Sequence, residues 1–253
     1  MNFAKKFDLI PNRQRARRRL RFSRMRLQQG LSILPNLFTL GNAFFGFCSI
    51  IFAAHGDVIA AAYFILVGAL FDGLDGRIAR LARVTSELGM QLDSLCDGIT
   101  FCLAPAFLVY TWQLKKTGFL GLAACALFLM AGLLRLAKFN LTHSQQSSRF
   151  SGIPTTIAGC FLATVVLNAK KILANPSFCL MLLLLMVTLS GLMVSSIPFP
   201  AFKQLRRNTY TWGMVGLAII AIAFGLTRML FLLFIAYFIF GFGSYVRDRL
   251  RRQ

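Results

Sequence analysis

Four aspartates, Asp72, Asp75, Asp93 and Asp97, stand inside or beside apolar stretches of a 253-residue chain that carries only eight acidic residues. An ionisable side chain within lipid costs at least about 2.5 kcal/mol and is usually functional. The spacing of the four is helical. Asp72 and Asp75 lie three apart, and Gly76, Ala79 and Arg80 continue along neighbouring parts of the same helix. Gly89, Asp93 and Asp97 then repeat every fourth position on one face of a second helix. The connection between them is short and polar, with Ser86 and Glu87, so the helices are expected to be antiparallel neighbours. Two carboxylates from each can then meet.

Converged carboxylates repel one another unless cations hold them. Carboxylate oxygens suit hard divalent ions, Mg²⁺ or Mn²⁺. Four carboxylates suffice for a two-ion site with one of them bridging, an arrangement that clamps the attacking and leaving oxygens of phosphoryl-type displacements. Gly76, without a side chain, lets a diphosphate approach the helix. Arg80 offers a fork of donors to phosphate oxygens. Two other readings use the same aspartates: an interfacial salt-bridge network with Arg77, Arg80 and Arg83, or a cation pathway across the membrane. The pathway gives no reason for Gly76, Ala79 and Gly89 to be small.

The elements that must position these residues are apolar helices. The chain is 57% hydrophobic with mean hydropathy +0.67, which excludes an ordinary soluble domain. Apolar stretches run at about 33–55, 58–82, 92–112, 118–137, 152–168, 176–196, 211–227 and 229–246, those near 152 and 211 being the shortest. They are continuously apolar rather than alternating, which argues against a strand barrel. The expected fold is therefore an all-α, polytopic membrane bundle of about eight transmembrane helices. A basic segment (1–32), a membrane domain (33–246) and a basic tail (247–253) divide the chain. With both termini in the cytoplasm, 23 of the 28 Lys and Arg residues fall in cytoplasmic loops, as the positive-inside rule requires. That choice puts the aspartates at the cytoplasmic side of the cell's inner membrane.

The formal net charge of +20 concentrates in the N-terminal arginine run, which topology and an anionic lipid surface explain. No aromatic residues interleave there in a stacking pattern, so nucleic acid is not an expected partner. The six cysteines form no CxxC pair and are expected to be small buried hydrophobes. No cleavable leader is evident, since the first apolar run begins near Ile33 and continues into others. His55 and His143 lack ligand partners at useful spacing and are expected to be solvated.

The eight positions Asp72, Asp75, Gly76, Ala79, Arg80, Gly89, Asp93 and Asp97 reproduce the pattern D-x-x-D-G-x-x-A-R-x8-G-x3-D-x3-D without a gap. In this the chain resembles the CDP-alcohol phosphatidyltransferases, integral membrane enzymes that displace CMP from a CDP-linked lipid with an alcohol. The stretches LPNLFTLGNAFFGF (34–47), RLAKFN (135–140), GIPTT (152–156) and SSIPFPAFK (195–203) are similar to the family's bacterial members that accept serine. The resemblance covers about residues 30–210, and the last two spans match mainly in hydropathy. It implies a homodimer with two divalent cations per site. It implies that Asp72, Asp75 and Asp93 are metal ligands and that Asp97 is both ligand and general base. CDP-diacylglycerol would lie against Gly76, Ala79, Arg80 and Gly89, with Asn36 and Thr39 beside the nucleotide. L-Serine needs a cation for its carboxylate, and Arg135 and Lys138, with Asn140 and Thr155 nearby, are the candidate acceptor-binding residues. Glycerol 3-phosphate or an inositol phosphate are the other acceptors to weigh, and these would require a denser basic pocket. Gly98, after Asp97, departs from the family pattern and weakens the helix by up to about 1 kcal/mol relative to alanine.

Overall fold

A computed structural model describes residues 35–82, 87–143, 152–169, 176–195, 228 and 230–238. The expected span at 211–227, both basic end segments, Arg83, Ser86, the weaker acceptor-binding candidate Lys203 and most of the polar loop expected at 143–149 lie outside the described residues. So do the side chains of Ala79 and Arg80.

Every described element is a helix. They are α1 (Pro35–Ala54), α2 (Val58–Ala82), α3 (Glu87–Trp112), α4 (Phe119–His143), α5 (Thr155–Ala169), α6 (Pro176–Val194) and α7 (230–238). Five of these, α1 to α4 and α6, are long and apolar enough to cross a membrane. α5 has 15 residues, about 22 Å at 1.5 Å per residue, and falls short of the ~30 Å hydrocarbon core. Almost all of α5 is buried by its neighbours, so it needs no lipid-facing length. Two boundaries differ from the hydropathy pattern. α3 begins at Glu87, because polar and small residues extend a helix beyond its apolar part. α4 continues to His143 for the same reason, which places Arg135, Lys138 and Asn140 on the helix itself.

α3 is interrupted by a π turn over Gly98–Leu103, in which Ala104 N–H bonds to Ile99 O. The sequence supplies the cause. Pro105 cannot donate to the Phe101 carbonyl four residues earlier, and Gly98 leaves the preceding turn soft. π turns inside α-helices gather at functional sites, and this one starts at the residue after Asp97.

The core lies around that turn. Phe101, Leu108, Phe128, Leu162, Met186 and Leu189 are buried at 0–2% exposure. α2 packs along α5, α4 packs along α6, and the π turn touches α2, α4 and α5. Large apolar side chains such as Leu37, Phe44, Leu70, Leu134 and Leu184 face outward, as a lipid-solvated bundle allows. From α1 to α6 each helix reverses the direction of the one before it. One end of the bundle therefore collects the start of α1, the end of α2, the start of α3, the end of α4 and the start of α5. Gly152 closes that end: its φ of +85° suits glycine, and its Cα packs against the carbonyls of the last turn of α6. Ile153 N–H then bonds to Leu192 O at 3.2 Å.

Candidate active site

The end of α2 and the start of α3 bring three carboxylates together. Asp72, Asp75 and Asp93 each offer an oxygen, and the three lie within 4.8 Å of one another. Asp75 is buried, and Asp72 and Asp93 are half-buried. Oxygens gathered this closely, drawn from two helices and shielded from bulk water, form a hard-donor set that fits a divalent cation. Arg77, one member of the alternative salt-bridge network, is exposed rather than turned into this group.

Asp97 is buried one helical turn beyond Asp93, close enough to act electrostatically on Asp72, Asp75 and Asp93 but outside the group of three. Asn42 of α1 donates its amide N–H to Asp97 Oδ1 at 3.1 Å. Two other carboxylates also hold neutral donors. Thr39 Oγ1, on α1, donates to Asp75 Oδ2 at 2.8 Å, and Thr156 on α5 is a hydrogen-bond partner of Asp72. These donors are uncharged, so they orient the carboxylates without neutralising them.

Asn36 lies half-buried in the first turn of α1, one turn from Thr39. A side chain built on Gly76 would meet no atom within 4 Å, so the helix face beside Asp75 is open. Gly89 is half-buried near the start of α3. Across the site, Arg135 of α4 donates to Thr155 Oγ1 of α5 at 3.4 Å. The Arg135 Nε–H is buried with no hydrogen-bond partner. Asp97 and Cys102 of α3 and Tyr237 of α7 all lie close enough to act on this guanidinium. Lys138 is exposed one turn further along. Asn140 is engaged with α3: it accepts from Ser94 Oγ at 2.9 Å and donates to Gln91 Oε1 at 3.2 Å.

Sequence reasoning passed over Asn42, Ser94 and Gln91, and it set Thr156, with Pro154 and Thr155, at the acceptor cavity rather than on Asp72. The signal for Asn42 was present. Thr39, Asn42, Gly46 and Ser49 repeat at three- and four-residue steps along α1, a stripe of polar and small residues in an apolar span, and all four are buried. The partnering of Thr156 with Asp72 carried no such signal, because it depends on how α5 crosses α2.

Residues 32–241 match the CDP-alcohol phosphatidyltransferase family. The chain belongs to that family. The match runs past residue 210 into the last apolar stretches, further than the motifs alone reach, since those stretches carry few polar residues to mark them. A CDP-diacylglycerol–serine O-phosphatidyltransferase of Helicobacter pylori is 37% identical over 180 residues, 70% of this chain and 76% of that protein. The enzyme of the same name from Bacillus subtilis is 33% identical over 174 residues, 69% of this chain and 93% of its own length. An archaetidylserine synthase of Methanothermobacter thermautotrophicus is 32% identical over 178 residues, covering 70% of this chain and 73% of that protein.

Proposed function

We propose that this phosphatidyltransferase moves the phosphatidyl group of CDP-diacylglycerol to L-serine, releasing CMP. The observation that carries the reading is the group of three carboxylates at the helix pair that bears the family pattern, in a chain whose relatives are named for serine transfer. Asp72, Asp75 and Asp93, joined by Asp97, would hold two divalent cations, Mg²⁺ or Mn²⁺. When bound, such ions neutralise the diphosphate as Lewis acids.

The chain's own residues do the rest. A serine hydroxyl is a weak nucleophile at neutral pH, so a positioned carboxylate that accepts its proton accelerates attack. Asp97 takes that role. The serine oxygen forms a bond to the β-phosphorus, the bond from that phosphorus to the CMP oxygen breaks, and CMP leaves with the electron pair. Gly76, Ala79 and Gly89 are assigned to the room for the cytidine diphosphate, Asn36 and Thr39 to the border of the nucleotide, and Arg80 to the phosphate oxygens. Arg135, whose Nε–H lacks a partner, holds the serine carboxylate, with Thr155 fixing the guanidinium. Lys138 and Asn140 border the same entrance from α4.

The site would face the cytoplasm, with both termini on that side of the inner membrane. About eight spans over 33–246 would stand between the basic segments 1–32 and 247–253, which meet anionic lipid, and the enzyme would act as a homodimer. The test is CMP release from purified protein in detergent with CDP-diacylglycerol, Mg²⁺ or Mn²⁺, and one acceptor at a time. CMP with L-serine only, abolished by a chelator, is expected. CMP with glycerol 3-phosphate instead would reassign the acceptor pocket. No CMP with any acceptor from folded protein, together with metal flux in proteoliposomes, would make the aspartates a cation pathway.

A further inference from the structure

We propose that Asn42 is a positioning residue for Asp97: its amide occupies Asp97 Oδ1 and leaves Oδ2 as the oxygen that faces the acceptor hydroxyl. This rests on the phosphatidyl-transfer reading above and assigns a residue that the eight-position pattern does not contain.

The geometry separates Asp97 from the other carboxylates. Asp72, Asp75 and Asp93 share one compact group, while Asp97 stands outside it and is held from α1. The contact is built from both directions. Asn42 Nδ2 donates to Asp97 Oδ1 at 3.1 Å, and Thr100 Oγ1 donates to the backbone carbonyl of the same asparagine at 2.9 Å. Thr100 lies three residues beyond Asp97, inside the π turn. One residue of α1 is thus tied at two points to one turn of α3. A carboxylate on an ordinary helix turn keeps its rotamer freedom; a carboxylate pinned at one oxygen, beside a turn pinned through its Thr100 hydroxyl, does not.

Two glycines make the approach feasible. A Cβ on Gly46 would lie 2.8 Å from Thr100 Cα, and a Cβ on Gly68 would lie 2.6 Å from Thr100 Cγ2 and 3.0 Å from Asn42 Oδ1. Side chains at either place would push α1 or α2 off the π turn. The amide also carries a cost. Asn42 Oδ1 is buried with no hydrogen-bond partner, and a buried unpaired oxygen is unfavourable for stability. A leucine of similar size would remove that cost but would leave the buried Asp97 carboxylate without this donor, so what the asparagine supplies here is its bond to Asp97. The amide must present its N–H₂ side there, because an ionised carboxylate only accepts.

The test compares Asn42→Leu with wild type for CMP release with L-serine, for the Michaelis constant of CDP-diacylglycerol, and for Mn²⁺ binding followed by electron paramagnetic resonance without substrate. The expected result is a turnover lowered roughly 10- to 100-fold, with the Michaelis constant and Mn²⁺ affinity within about twofold of wild type. A variant that turns over within about threefold of wild type overturns the proposal. So does one that loses Mn²⁺ affinity in step with turnover, since the asparagine would then hold the whole site rather than Asp97. If Asn42→Leu fails to fold, Asn42→Ser, smaller and polar, is read by the same criteria. Wild-type protein that releases no CMP with serine would instead sink the transfer reading itself.

Discussion

Gly159 is the position at which fold and chemistry are most directly coupled. It lies on α5 against the π turn, and a Cβ there would sit 2.7 Å from Phe101 O and 2.9 Å from Phe101 Cα. Both are backbone atoms, so no side chain can swing away. Ordinary van der Waals contact begins at 3.4 Å, so Gly159→Ala must move α5 and the turn apart by about 0.7 Å. Phe101 O is also the carbonyl that Pro105 leaves without its α-helical donor. Overpacking of this kind costs about 1–3 kcal/mol, against which alanine returns up to about 1 kcal/mol of helix propensity. The net loss, about 1 kcal/mol, lowers the melting temperature by roughly 2–4 °C in a chain of this size. The effect on turnover should be larger. The turn begins one residue after Asp97, and a misplacement of around 1 Å can cost about 100-fold in rate. Gly191→Ala on α6 is the control, because a Cβ there meets nothing within 4 Å. It should raise the melting temperature slightly and leave turnover unchanged. Thermal unfolding in detergent and CMP release read both. Gly159→Ala melting at or above wild type with turnover within twofold would refute the reasoning, as would an equal loss in Gly191→Ala.

Three further outcomes follow from the site. Asp93→Asn should abolish tight Mn²⁺ binding and lower activity by about 100-fold or more, since it removes one of the three gathered oxygens; retained Mn²⁺ affinity by calorimetry would remove Asp93 from the ligand set. Asp97→Asn should lower turnover by at least about 100-fold while CDP-diacylglycerol still binds, and near-normal turnover would remove its role as base. Arg135→Ala should raise the Michaelis constant for serine roughly 30-fold, about 2 kcal/mol, and barely alter that for CDP-diacylglycerol; an unchanged serine constant would move the acceptor carboxylate elsewhere.

The chemistry of the site was more legible in the sequence than its support. The aspartates declared themselves because a helix repeats every three to four residues, so the spacing of 72, 75, 93 and 97 already defines two faces. Their charge in an apolar context did the rest. Helix existence followed from hydropathy for the same reason. Lengths did not. Hydropathy counts apolar residues, whereas α3 and α4 each extend through polar turns, at Glu87 and Asn140, that pack on one another through Ser94 and Gln91. That α5 is short was legible, since the stretch near 152 is among the shortest; its burial was not, because it depends on neighbours that no single stretch encodes.

The least legible feature is the one that joins the two levels. Gly98 and Pro105 are both visible in the sequence, and each weakens a helix, yet neither states that the outcome is a π turn rather than a kink or a break. What selects the turn is tertiary. Thr100 finds the carbonyl of Asn42 on α1, and Gly46, Gly68 and Gly159 leave the turn room from three sides. A proline-weakened stretch would otherwise be a liability beside a charged residue. Here the weakness lets α3 widen where three helices close on it, and that closure holds Asp97 in place. Gly98 is therefore better understood as part of the arrangement that orients Asp97 than as a flaw in the helix that carries it.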